Sequence, residues 1–190
     1  MISVIIPTLN SARVLPRALS PLVEGVAHGV LKQVLVSDGG SHDETLEIAD
    51  AAGCDIVAVE GDRTARMRAA ATKAKGAWLL FLPPETALAP GWASEAARFM
   101  AHPSAAQRAG AFKLVFDGDA GAGALAWARF RSRWLKLPGA EQGLLIPHAL
   151  CDALDGYADN IATRLGRRRL VSLESEAVVQ RAALRRSSGV

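Results

Sequence analysis

QVLVSDGGSHDETLEIADAAG, residues 33–53, carries a complete strand, turn and helix in one stretch. Val34, Leu35 and Val36 form an uninterrupted apolar run, the pattern of a strand buried on both faces rather than one with a wet side. Asp38, Gly39, Gly40 and Ser41 then end the strand with turn-forming residues. Ser41 and Glu44 stand at the S-x-x-E spacing of a capping box. Leu46, Ile48 and Ala49 supply an apolar stripe, and Gly53 a stop. A doubly buried strand followed directly by a helix predicts a parallel sheet, because parallel neighbours are joined by crossover connections.

The same grammar extends outward. SVIIP (3–7) and DIVAV (55–59) read as further strands, and WLLFL (78–82), the most apolar, as a central one. RTARMRAAATKAKG (63–76) reads as an Ala-rich helix closed by Gly76, and WASEAARFMA (92–101) as a helix after Pro90-Gly91. Pro16 and Pro21 cannot both lie inside one first helix, since each removes a hydrogen-bond donor. Further on, AFKLVF (111–116) alternates like a half-polar strand, GDAGAG (118–123) is a loop, and ALAWARFRSRWLKL (124–137) an amphipathic helix. GLLIP (143–147) is a short strand, NIATRLGRRR (160–169) a helix ending near Gly166, and LVSL (170–173) a last strand. The expected fold class is α/β: a single domain over residues 1–190, with a mostly parallel central sheet flanked by helices.

Composition narrows the setting. The chain has 190 residues, half of them hydrophobic, enough to bury one full core. Cys54 and Cys151 lie far apart without metal-ligand spacing, which suits small buried side chains in a reducing compartment. No basic leader precedes an apolar stretch, and no apolar run reaches the roughly 18 residues of a membrane span, so a cytoplasmic protein is expected. Net charge is only +3, but Arg and Lys gather late, from Arg129, Arg131, Arg133 and Lys136 through Arg164 and Arg167–Arg169 to Arg181, Arg185 and Arg186. This bias suits peripheral contact with a membrane surface or an anionic substrate, and equally a solvated face. Nucleic acid is not expected, since no helix-turn-helix, zinc module or aromatic stacking pattern accompanies the charge. The four histidines, His28, His42, His102 and His148, lack ligand spacing.

In an open parallel sheet, ligands bind beyond the carboxyl ends of the strands. Three polar exits converge there: Thr8-Leu9-Asn10, Asp38-Gly39-Gly40-Ser41 and Glu85-Thr86. Asp38 can accept hydrogen bonds from a ribose or a base, and Gly40 lets backbone approach a ligand. The same four residues are also ordinary turn chemistry.

SVIIPTLNSARVLPRAL (3–19), VLVSDGGSHDETLEIA (34–49) and GAWLLFLPPETALAPGW (76–92), in that order, resemble the nucleotide-sugar-binding half of family-2 glycosyltransferases, most closely the short bacterial members. The likeness continues through AFKLVFD and GAEQGLLI to about residue 148. It implies a GT-A fold with a nucleotide-sugar half over about 1–100, an acceptor-side half over about 101–175 and a basic tail over 176–190. It also implies transfer of sugar from a nucleoside-diphosphate sugar to a hydroxyl of a glycan or lipid acceptor, with inversion. By resemblance, Pro7, Thr8, Asn10 and Asp38 hold the nucleoside, with Gly40 a further candidate from the turn itself. Arg63 faces the diphosphate, and Arg66 and Arg68 replace polar residues on the same helix.

Two departures matter. Where the family carries D-x-D or H-A-D, this chain reads Pro83-Pro84-Glu85, leaving Glu85 as the one candidate ligand for a divalent Mg²⁺ or Mn²⁺ ion. Where short members carry an E-D pair supplying the general base, it reads DGYADNIA, so Glu141, Asp155 and Asp159 are the candidates, with Gln142 beside Glu141 as an acceptor contact. Loss of both acidic motifs would also fit a descendant that binds or assembles without catalysis. Trp127, Phe130 and Trp134 recur at helical spacing, which suits a core stripe or, by resemblance, an acceptor border.

Overall fold

The computed structural model describes residues 1–117, 142–156, 161–166 and 168–180. Its centre is an eight-stranded sheet made of β1 (Ile2–Thr8), β2 (Leu31–Asp38), β3 (Asp55–Ala58), β4 (Trp78–Phe81), β5 (Thr86–Leu88), β6 (Ala109–Asp117), β7 (Leu144–Pro147) and β8 (Leu170–Gln180). The spatial order is β3-β2-β1-β4-β7-β6-β8-β5. β1, β2, β3 and β4 are mutually parallel, whereas β7 runs antiparallel to both β4 and β6. β6 pairs β8 in parallel, and β5 closes the far edge antiparallel to β8. This is the expected α/β architecture, with WLLFL central between β1 and β7.

β1 is buried at every position, as its continuous apolar run requires. The sheet separates two cores. One gathers Val4, Ile6, Leu15, Leu22, Val36, Leu80, Leu88 and Trp92; the other gathers Ile5, Leu35, Met67, Leu79, Ile146, Cys151 and Ile161. Helices α1 (Leu15–Leu19), α2 (Leu22–Ala27), α3 (Thr45–Ala51) and α5 (Trp92–Ala101) contribute to the first core, and α4 (Arg63–Thr72), α6 (His148–Ala153) and α7 (Ile161–Leu165) to the second.

The two prolines of the first helical region are reconciled by division. Pro16 lies in the first turn of α1 and Pro21 is the N-cap of α2, positions where the missing donor costs little. α2 and α5 are then tied together. Trp92 is fully buried, donates its Nε1–H to the Pro21 carbonyl at 2.9 Å, and its ring packs against Gly25, where a Cβ would collide. The Glu24 carboxylate accepts from the amides of Gly91 and Ala93, capping α5 from a neighbouring helix.

Three local expectations change. Ser41 and Glu44 do not form a capping box: Glu44 is the N-cap of α3 without a side-chain bond, and the Ser41 hydroxyl is bonded to Asp38 instead. Gly76 does not cap α4, which ends at Thr72; a Cβ there would sit 2.6 Å from the Ser3 amide nitrogen, so glycine serves close packing against β1. LVSL is only the start of β8, which continues to Gln180 inside the segment read as tail. β8 shifts register against β6 between Ala111 and Lys113, and the buried Glu95 carboxylate of α5 holds that irregularity by accepting from the amides of Glu174 (2.5 Å) and Ser175 (2.6 Å). Burial opposes the Glu95 charge, but the side chain of Ser175, the amides of Glu174 and Ser175, and Arg98 outweigh it and hold the carboxyl below its ordinary range.

Candidate functional site

β1 is followed in space by β2 on one side and by β4 on the other, so the chain changes winding direction beside β1. The carboxyl ends of β1, β2 and β4 meet at that switch point, where open α/β sheets bind ligands.

Asp38 organises the edge. It is 1% exposed, and its Oδ1 accepts from the Thr8 hydroxyl (2.8 Å) and the Ser41 hydroxyl (2.6 Å). Its Oδ2 accepts from the amides of Gly40 (2.9 Å) and Ser41 (2.7 Å). Burial works against the charge, but these bonds from Ser41, Thr8 and Gly40 outweigh it and hold the carboxyl below its usual range. A carboxylate has about four acceptor positions, and all are filled here. In this structure the Asp38 carboxylate is engaged by the loop it shapes. Gly40 has φ +94, which its bond to Asp38 fixes and which a side chain would resist.

Asn10 adopts the left-handed region with φ +50, as Asn tolerates. Its amide donates to Ser41 Oγ at 2.8 Å, and its Oδ1 accepts from the His42 amide at 2.9 Å. The Gly39 amide donates to the Thr8 carbonyl at 3.0 Å. Beyond these, Asp43 Oδ2 accepts from the Ala12 amide at 3.0 Å, and Thr45 Oγ1 accepts from the Ser11 amide at 2.8 Å. Burial opposes the Asp43 charge too, yet the Thr45 hydroxyl and the amides of Ala12 and Thr45 hold its carboxyl below the ordinary range. Residues 8–12 and 38–45 are thus one cross-bonded unit. Asp43 and Thr45 escaped the sequence reading, although their polar spacing ahead of the α3 stripe was the available signal.

The start of α4 lies beside this unit. Asp62 caps it by accepting from the Ala65 amide at 2.8 Å. Arg66 lays its guanidinium on Gly39, where any Cβ would collide with it, and donates from Nη1 to the Gly61 carbonyl at 3.0 Å. Arg66 Nε is buried and, among the described residues, has no hydrogen-bond partner. Arg63 and Arg66 are half-buried, while Arg68 is exposed.

Glu85 is half-buried in a tight turn closed by the Thr86 amide on the Pro83 carbonyl at 3.0 Å, after which β5 begins. Among the described residues no group of three or more His, Cys, Asp or Glu side chains could hold a metal ion by itself. One carboxylate at a strand exit suits an ion whose remaining ligands are phosphate oxygens and water.

Asp155 stands against α4. It follows α6, whose first residue bonds Ala77 at the opposite end of β4, and its carboxylate pairs with Arg68 at 2.5 Å and Arg164 at 3.7 Å. The structure therefore places Asp155 beside Arg68 of α4 and Arg164 of α7. Glu141 and Asp159 lie outside the described residues, as do Trp127, Phe130 and Trp134. Gln142 is buried just before β7, whose Leu144 pairs Phe81 at the exit end of β4.

Residues 3–157 match the profile of Glycosyl transferase family 2. The chain belongs to that family. A PGL/p-HBAD biosynthesis glycosyltransferase of Mycobacterium bovis (strain BCG / Pasteur 1173P2) is 40% identical over 95 residues, covering 46% of this chain and 36% of the relative. The chain therefore matches only about a third of that relative's length. Among solved structures, S. aureus TarS 1-349 superposes with a TM-score of 0.70 at 18% identity, over 94% of this chain and 60% of that one. Glucosyl-3-phosphoglycerate synthase from Mycobacterium tuberculosis, solved with Mn²⁺, UDP and glucosyl-3-phosphoglycerate, gives 0.62 at 19% identity over 95% of this chain and 70% of that one. At these identities the structural likeness establishes the fold, that of the GT-A glycosyltransferases. Among the described residues of this family-2 chain, no helix is long and apolar enough to cross a membrane.

Proposed function

We propose that this family-2 chain binds a nucleoside-diphosphate sugar at the β1–β2–β4 edge and transfers the sugar to an acceptor hydroxyl with inversion. The observation that carries the reading is the cross-bonded unit of residues 8–12 and 38–45 at the switch point, built round a carboxylate that is 1% exposed. So much polar structure at one sheet edge fixes a backbone shape, as binding without large reorganisation demands.

In this reading Pro7, Thr8, Asn10 and Gly40 frame the nucleoside, with Asp38 holding them in place. Arg63 and Arg66 face the diphosphate, and the unpaired Nε–H of Arg66 beside Gly39 is available to an anionic oxygen. Glu85 would hold a divalent ion, which supplies charge neutralisation for the leaving diphosphate. The acceptor oxygen attacks the anomeric carbon opposite the departing phosphate oxygen, and a carboxylate removes the hydroxyl proton. We assign that base role to Glu141, because its neighbour Gln142 precedes a strand that begins at the exit end of β4. Asp155, held between Arg68 and Arg164, is the weaker candidate, and Asp159 the third.

The ion-paired state of Asp155 also supports a second reading, a chain that binds nucleotide sugar without transfer. Release of nucleoside diphosphate from a panel of sugar nucleotides, with lipid and glycan acceptors, separates the two. Transfer predicts release that Glu141→Gln abolishes while nucleotide binding persists. Binding without release by any donor and acceptor pair supports the second reading.

A further inference from the structure

We propose that Asp43 and Thr45 are positioning residues for the nucleotide, acting as a latch that holds the exit of β1 against the start of α3; this rests on the nucleotide reading above. Neither side chain is needed to contact the ligand. Asp43 Oδ1 accepts both the amide of Thr45, at 3.1 Å, and its hydroxyl. Its Oδ2 reaches across to the Ala12 amide. The Thr45 hydroxyl, having donated to Asp43, accepts from the Ser11 amide at 2.8 Å. One carboxylate and one hydroxyl therefore secure two successive amides of the other loop.

What they secure is the segment that presents Asn10. The Ser11 carbonyl accepts from the amides of Val14 and Leu15 at the start of α1, and its hydroxyl exchanges contacts with Leu9. With its amide on Thr45, Ser11 is fixed from α1 and α3 together. Asn10, immediately before it, keeps a left-handed backbone that most conformers of a free loop would abandon. Without the latch that conformation depends on Ser41 and His42. A ligand that needs the latched loop then binds in proportion to the fraction of chains that still adopt it.

Thr45 and Asp43 allow a matched test. Thr45 is fully buried, so Thr45→Ser keeps the hydroxyl while Thr45→Val keeps the shape and removes it; Asp43 is exposed, so Asp43→Ala tests the latch without disturbing a core. UDP and GDP are titrated calorimetrically into the full chain and each variant, and amide exchange is followed at Ser11 and Ala12. The expected result is about tenfold weaker nucleotide binding in Thr45→Val and Asp43→Ala, near wild-type affinity in Thr45→Ser, and faster exchange at Ser11 and Ala12. In turnover, KM for the sugar nucleotide rises with kcat unchanged. Wild-type binding of nucleotide with unmoved affinity in Asp43→Ala overturns the latch alone. A wild-type chain that binds neither nucleotide overturns the underlying reading and the latch with it.

Discussion

The loops after β1 and β2 and the turn after β4 reach the same edge of the sheet but are built differently. Between residues 8 and 45, side chains and amides from both loops meet around Asp38, Ser41, Asp43 and Thr45, and every acceptor position of Asp38 is occupied. The β4 exit offers two prolines and Glu85, in a turn closed by the Thr86 amide on the Pro83 carbonyl. Asp155 is engaged in ion pairs with α4 and α7 arginines. One part of the edge is densely cross-bonded and the other carries a single carboxylate, so on the proposed reading binding and catalysis would answer to different residues.

The largest effect that would break this contrast belongs to Asp38. Asp38→Ala leaves the Thr8 and Ser41 hydroxyls and the Gly40 and Ser41 amides without their acceptor, and should lower unfolding free energy by about 3–5 kcal/mol, as removing one partner from a buried charged network does. Urea denaturation followed by fluorescence checks this; a loss below about 1 kcal/mol would mean that the loops hold without it.

Acid should act next, on this edge through Asp38 and Asp43 and on the β6–β8 register shift through Glu95. Asp38, Asp43 and Glu95 all have folded-state carboxyls held below their unfolded range. Such groups contribute stability that is complete above the unfolded values, near pH 4, and is lost as pH falls through the lowered folded values. Thermal midpoints should therefore stay level from pH 7 to about 5 and drop below about 4, with a shallower acid drop in Glu95→Gln, whose neutral side chain does not titrate.

Much of the sheet edge was legible in the sequence because it is local. The apolar runs of β1, β2 and β4 fix a parallel sheet, and polar residues at their ends must fall on one edge. What escaped was decided by competition or by distance. Ser41 had a partner three residues on either side, and the buried charge of Asp38 is a stronger acceptor than an exposed helix end can rival. Gly76 reads as a helix stop until β1 is found against it. β5 is three residues long, and it is a strand through its pairing with β8, far along the chain. The tie between Arg68 and Asp155 joins residues that no spacing rule connects.

The β4 turn supplies a smaller, sharper test. Added Mn²⁺ should tighten UDP binding by about tenfold in the wild type and leave Glu85→Gln unmoved, because the amide keeps the shape without the charge. Equal enhancement in both would remove Glu85 as the metal ligand, and metal-independent binding in the wild type would give the charge-neutralising part to the α4 arginines. Smallest of all is Asp155→Asn. Exposed ion pairs are worth about 0–1 kcal/mol, so stability should change by less than that and nucleotide affinity not at all. Abolished turnover with intact binding would instead make Asp155 the base and reverse its assignment.

The central claim, that the cross-bonded edge is where the nucleotide sits, is tested most directly by a crystal structure of the full chain with UDP and Mn²⁺. The nucleoside should lodge between residues 8–12 and 38–41, with the diphosphate directed toward Arg66 and Glu85 and the Asp38 bonds unbroken. UDP bound away from these loops, or these loops unchanged and empty at saturating UDP, would contradict it.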